Sequence, residues 1–212
     1  MQHLDRDLPL REYWKQRMRE HGQDSYRGRS LVKMPEDLRT YEQVIEGTKP
    51  DTIVELGTFA GGSALWYRDR LRLFSGSDIL VVTVDVDRRC EGFSPNERVI
   101  FIEDDLTLER TQRKVAGLVA GRRVMVVDDS AHTYDVTTKA LEGYGDLVSQ
   151  GCYFVVEDGV VDEPDLTVWP GAGGVQPAIA DFLDTDRGSR FEQRYLESFG
   201  LTMHFGGWLF AS

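Results

Sequence analysis

The chain has 212 residues, enough for one domain with a full core, and carries a formal net charge of -11. A surface this acidic repels phosphate backbones and argues against nucleic acid as a partner. No apolar run is long enough to span a bilayer and the first residues hold no apolar signal-peptide core, so a cytoplasmic protein without a membrane partner is expected. The two cysteines, Cys90 and Cys152, read as a reduced thiol pair.

Residues 1–33 are polar and rich in arginine. Leu10, Trp14 and Met18 recur at helical spacing and predict a short amphipathic helix. It would pack on the domain, pair with another subunit or cover the active site. Arg27, Arg29 and Lys33 suit either an anionic group or, the preferred reading, a solvated basic face. Pro35 opens the next helix, with Glu36 and Asp37 at its positive dipole end and a stripe of Leu38, Tyr41, Val44 and Ile45. That helix stops near Gly47, before Pro50.

The stretch 51–63, DTIVELGTFAGGS, is a strand, a glycine turn and the start of a helix that runs to about Phe74. The helix start aims free N–H groups at whatever occupies the turn. A dinucleotide fingerprint needs a second glycine for pyrophosphate to approach, and Phe59 stands in that place. The ring argues against NAD and favours a cofactor without phosphates, held by its carboxylate and amine.

Ile79–Asp85 is a near-continuous apolar run, as a parallel strand buried on both faces should be. Asp85 ends it, and in nucleotide-binding α/β folds an acid there accepts hydrogen bonds from ribose hydroxyls. Val99–Ile102 reads as a third strand, followed by Asp104 and Asp105, with Thr107 as cap of a helix over Leu108–Leu118. Val124–Val127 is the fourth strand, with Asp128 and Asp129 at its end and His132 three residues on. A helix from Tyr134 to Val148 follows. Gly151–Val156 is the fifth strand and ends in Glu157 and Asp158.

Carboxyl ends of parallel strands line one edge, about 4.8 Å apart, so carboxylates from two neighbouring ends converge. Unpaired, they repel one another, and a divalent cation such as Mg²⁺ resolves that. A histidine beside them suits a general base. Residues 159–177 form a long loop rich in glycine and proline, read as a substrate-facing lid in which Trp169 is a wall or an anchor. Ala178–Leu183 reads as a helix. The tail gives two strand-like runs joined around Ser198–Gly200, with His204 expected to face solvent.

Taken together, KMPEDL, IVELGTFAGGSALWYRDRL, VVTVDVD, DDSAHTY, VVED and the terminal GGWLF resemble the cephalosporin hydroxylase/rhamnosyl O-methyltransferase family. The site motif is also similar to the Mg²⁺-dependent sugar O-methyltransferases of macrolide pathways. The resemblance implies an α/β, Rossmann-like class I methyltransferase domain over residues 34–212. Its sheet would be seven-stranded and mostly parallel, with helices on both faces and a C-terminal antiparallel hairpin. It implies S-adenosylmethionine (SAM) on Glu55, Gly57, Thr58, Phe59, Gly61, Ser63, Asp85 and Asp105. Mg²⁺ falls on Asp129, Glu157 and Asp158, and the base is His132. The implied partner is a small-molecule hydroxyl acceptor, a glycoside or a phenol, and the implied assembly a homo-oligomer. The four histidines are scattered, so the two-histidine, one-carboxylate set of a non-haem iron oxygenase is not expected. A SAM-binding subunit without catalysis is disfavoured by the intact set of acids and base.

Overall fold

The computed structural model describes residues 9–90, 92–164, 166, 169–196 and 199–212. Seven strands form one sheet: β1 Thr52–Leu56, β2 Leu80–Asp85, β3 Val99–Glu103, β4 Val124–Asp128, β5 Tyr153–Val156, β6 Phe191–Arg194 and β7 Trp208–Ala211. Their spatial order is β3-β2-β1-β4-β5-β7-β6. The first five are parallel, and β7 runs antiparallel to both neighbours. Every residue of β1, β4 and β5 is buried, so both faces of the central sheet are covered. That explains why these strands read as continuous apolar runs rather than alternating ones.

Six α-helices accompany the sheet: α1 Leu10–Glu20, α2 Pro35–Thr48, α3 Gly62–Ser75, α4 Glu109–Val119, α5 Tyr134–Tyr144 and α6 Val175–Leu183. α2 packs against α3, and α5 against α4 and α6. Among the described residues no helix is long and apolar enough to cross a membrane. Cys90 and Cys152 are buried free thiols.

The register decides where the chemistry lies. Leu56 pairs with Val84 on one side and Asp128 on the other, and Asp128 pairs with Val156. The residues that follow, Gly57, Asp85, Asp129 and Glu157, therefore leave the sheet side by side along one edge. Strand order also reverses there, between β1 and β4, which is where open α/β sheets bind ligands.

Several sequence expectations shift. Thr107 does not cap α4, because its hydroxyl is turned to Asp105 Oδ1 at 2.7 Å. α5 ends at Tyr144 and continues as a short 3₁₀ turn over Gly145–Leu147. α6 begins at Val175, where Asp162 caps it by accepting from the Gly174 and Gln176 amides. The tail is not a tight hairpin. The second strand begins only at Trp208, and the preceding residues dip into the sheet's carboxyl edge; Ser198, expected at the junction, lies outside the described residues.

The helix α1 packs on the same chain. Met18 joins Met34, Val160, Leu166 and Met203 in a second apolar cluster, with Trp14, Trp169 and Phe205 against it. The Trp14 and Phe205 ring centroids are 5.3 Å apart. Arg17 clamps the Glu36 carboxylate at 2.6 and 2.7 Å. This cluster joins helix, loop and tail over the edge of the sheet that carries the carboxylates.

Candidate active site

The glycine turn and the acidic strand ends are in direct contact. Gly57 has a positive φ of 101°, and a Cβ there would lie 1.9 Å from the Asp129 carbonyl oxygen. Only glycine permits that approach. Asp85 braces the turn from the other side, its Oδ2 accepting from the Thr58 and Phe59 amides at 2.9 Å. The Thr58 hydroxyl is buried against Thr83, which donates to Glu55 Oε2 at 2.6 Å. Glu55 Oε1 is buried without a hydrogen-bond partner. Burial raises this carboxyl to about 7, tempered by Lys33 and the Ser63 and Thr83 hydroxyls.

A cavity of about 560 Å³ opens beside the turn, lined by Gly57, Phe59, Asp85, Asp105 and Asp129 among others. Phe59 is in the left-handed region and half exposed, with the Arg89 guanidinium 5.8 Å from its ring centre. Gly61 caps α3 with φ 80°, and Ser63 stands in the first turn of that helix. Asp105 closes the far wall and accepts from the Thr107 amide and hydroxyl. Of the residues implied to hold cofactor, Gly57, Phe59, Asp85 and Asp105 line this cavity. Thr58 is turned into the core beside Glu55.

The acids sort into two groups. His132 Nε2 lies 3.3 Å from Asp158 Oδ2 and 3.7 Å from Asp129 Oδ1. One donor atom from each of the three residues falls within 4.8 Å of the others. His132 and Asp158 are both left-handed, at φ 51° and 58°, a conformation that costs energy and persists only where the surroundings enforce it. Trp169 lies over His132, ring centroids 6.1 Å apart at 31°. Glu157 forms a second such group with Asp158 and His204, and Lys33 links it to Asp129. The Lys33 ammonium donates to Glu157 Oε1 and Oε2 at 2.6 and 2.7 Å and to Asp129 Oδ2 at 2.8 Å. The Tyr41 hydroxyl completes the cage at 2.7 Å from Glu157 Oε1.

Charge follows that division. Burial works to raise the Glu157 carboxyl, but Lys33, His204 and Tyr41 outweigh it and hold the group at about 2. Burial and the other carboxylates raise Asp129 and Asp158. Their side chains keep 24 % and 14 % exposure, so solvent moderates both shifts. Two hard carboxylate oxygens that repel one another and are still reached by water suit a divalent cation such as Mg²⁺ or Mn²⁺, with the imidazole beside them.

Two residues read as solvent-facing turn out to be built into this site. Lys33 has 1 % side-chain exposure rather than belonging to a solvated basic face. His204 is 2 % exposed, and its Nδ1 accepts from the Asp158 amide at 3.2 Å. Its Nε2 lies 3.8 Å from both Asp37 Oδ2 and Glu157 Oε2 and has no hydrogen-bond partner among the described residues. Asp37 fixes the tail in turn, accepting from the Thr202 hydroxyl and the Met203 amide. One signal could have pointed to Lys33: a buried group of carboxylates needs a counter-cation nearby.

A parallel sheet of this order, with a glycine turn after β1 and an antiparallel C-terminal strand, defines the class I methyltransferase fold. A solved CmcI structure titled with Mg and SAM shares that fold at a TM-score of 0.67 and 23% identity, covering 100% of this chain and 88% of that one. CalS11, titled a TDP-rhamnose 3'-O-methyltransferase of calicheamicin biosynthesis, shares it at 0.58 and 15% identity, covering 98% of each. The profile of the Rhamnosyl O-methyltransferase/CmcI family matches residues 19–211, and the chain belongs to that family. The rhamnosyl O-methyltransferase of Mycobacterium tuberculosis is 27% identical over 172 residues; the match covers 76% of this chain and 66% of that relative.

Proposed function

We propose that this chain is a SAM- and divalent-metal-dependent O-methyltransferase whose acceptor is a hydroxyl of a small molecule, a sugar of a glycosylated natural product. The observation that carries the reading is the Asp129–His132–Asp158 set, which adjoins, through Asp129 itself, the cavity built on Gly57, Phe59 and Asp85. Glu55, Gly57, Phe59, Ser63, Asp85 and Asp105 would hold SAM. The unpartnered Glu55 Oε1 and the phosphate-averse Phe59 both fit a cofactor with an amino-acid end. Asp129 and Asp158, backed by Glu157, would hold the metal.

Bound there, SAM supplies an electrophilic methyl group and the metal a Lewis acid that directs acceptor oxygens. His132 accepts the hydroxyl proton at Nε2, where the carboxylates at 3.3 and 3.7 Å stabilise the resulting imidazolium. Trp169 shields that nitrogen on one side and offers the acceptor ring an apolar wall. Much of the rate comes from orientation, which the locked turn and strand ends provide before any ligand arrives.

The test is calorimetric titration with SAM and with Mg²⁺, together and separately. SAM binds, and the Mg²⁺ signal disappears in Asp129→Ala. His132→Ala loses turnover while SAM affinity largely survives. Full activity in EDTA would sink the metal half of the reading, and absence of SAM binding the whole of it. The same Trp169 wall suits a planar phenol, so glycosides and phenols are assayed side by side.

A further inference from the structure

Lys33 is an expensive residue to bury. Its side chain is 1 % exposed, and ordering it forfeits both hydration and rotamer freedom. The chain holds it deliberately. Leu31 and Met34 on either side are 2 % and 1 % exposed. The residues just before them cross the start of α3, where a Cβ on Gly62 would meet Ser30 O at 2.2 Å and Arg29 O at 3.0 Å. The ammonium is thereby delivered between Asp129 and Glu157, where it makes three charge-assisted hydrogen bonds of 2.6–2.8 Å. It sits 5.9 Å from the centre of the Tyr67 ring, and the Tyr67 hydroxyl reaches Glu157 Oε1 at 3.2 Å.

The geometry has two effects. Both oxygens of Glu157 and Asp129 Oδ2 are turned towards Lys33, which leaves Asp129 Oδ1 on the side of His132 and Asp158. Three carboxylates with one ammonium among them also keep a charge that a single divalent ion neutralises. We propose that Lys33 is a positioning residue of the site: a resident monovalent cation that fixes Glu157 and Asp129 and matches the cluster to one divalent partner. The proposal rests on the metal-assisted reading above, and its test is arranged so that the two fail separately.

Thermal unfolding is followed for the wild type, Lys33→Met and the neutral pair Lys33→Met/Glu157→Gln, each in EDTA and in saturating Mn²⁺. Removing one partner of a buried pair leaves the other uncompensated. Lys33→Met therefore loses roughly 10 °C or more in EDTA, and Mn²⁺ restores more of its Tm than it adds to the wild type. The double variant, with both charges gone, regains most of the EDTA loss. The proposal is overturned if Lys33→Met is equally destabilised with and without Mn²⁺ while the wild type responds to the ion. It is also overturned if the double variant is no more stable in EDTA than Lys33→Met, since Lys33 would then contribute only packing. Should Lys33→Met not fold, the double variant against the wild type in EDTA carries the decision: near-wild-type stability supports the proposal and loss of folding overturns it. A wild type without any Mn²⁺ response removes the metal half of the proposed function, while the EDTA comparison still decides the role of Lys33.

Discussion

Glu55 shows how one buried side chain can carry a stability cost that a proposed binding role would explain. Its carboxyl is raised from 4.5 to about 7, chiefly by burial. The folded state thus keeps a proton that the unfolded chain has released, and stability falls as pH rises from about 4.5 to about 7. Glu55→Gln removes that term. Its Tm gain over the wild type should be near zero at pH 4 and grow to the equivalent of at most roughly 3 kcal/mol at pH 8. SAM affinity should fall in the same variant, because the unpartnered oxygen is gone. A gain that does not depend on pH would contradict this account. The charges of Glu55, Asp129 and Asp158 were plain in the sequence at strand ends. Lys33 was not, because one lysine after Arg27 and Arg29 looks the same whether solvated or buried. His204 was missed for a different reason: LTMHF alternates like a strand, whereas the segment is a loop held by Asp37.

The strands were legible because a sheet buried on both faces demands continuous apolar runs, and β1, β2 and β4 supply them. The helix α1 was legible as an amphipathic element but not in its destination, since a helical stripe does not say what it meets. Its destination is the cluster of Val160, Leu166, Met203 and Phe205, which also reaches Trp169. α1, the loop after β5 and the tail thus share one apolar contact beside the carboxylates. Trp14→Ala should lower stability by about 2 kcal/mol, less than for a fully buried tryptophan. It should also raise the acceptor KM while the SAM dissociation constant stays unchanged. An unchanged KM would mean that the cluster is a structural cover and nothing more.

Across the whole molecule the acidic balance has a directional consequence. Burial and mutual repulsion raise Asp129 and Asp158, whereas Lys33 keeps Glu157 ionised down to about 2. On the proposed function, metal uptake would compete with protons on the two aspartates and not on the glutamate. Mg²⁺ affinity should rise with pH above the ordinary carboxylate range, with proton release detectable by calorimetry in buffers of different ionisation enthalpy. In Asp158→Asn that slope should flatten. Affinity that is level across this range would show that both aspartates are already ionised in the free protein.

The close approach of Gly57 to the Asp129 carbonyl has a bearing on re-engineering. Cofactor turn and acid loop touch through backbone, with no side chain between them to trim or extend. On the proposed function, the spacing between methyl donor and metal would be a constant of the scaffold. If the proposed function holds, divergence towards new acceptors has to be found in the side chains of α1, the loop after β5 and the tail, although loop and tail also meet through backbone, the Val160 amide donating to Met203 O at 3.0 Å. Within the tail His204 has to stay, because its Nδ1 accepts from the Asp158 amide.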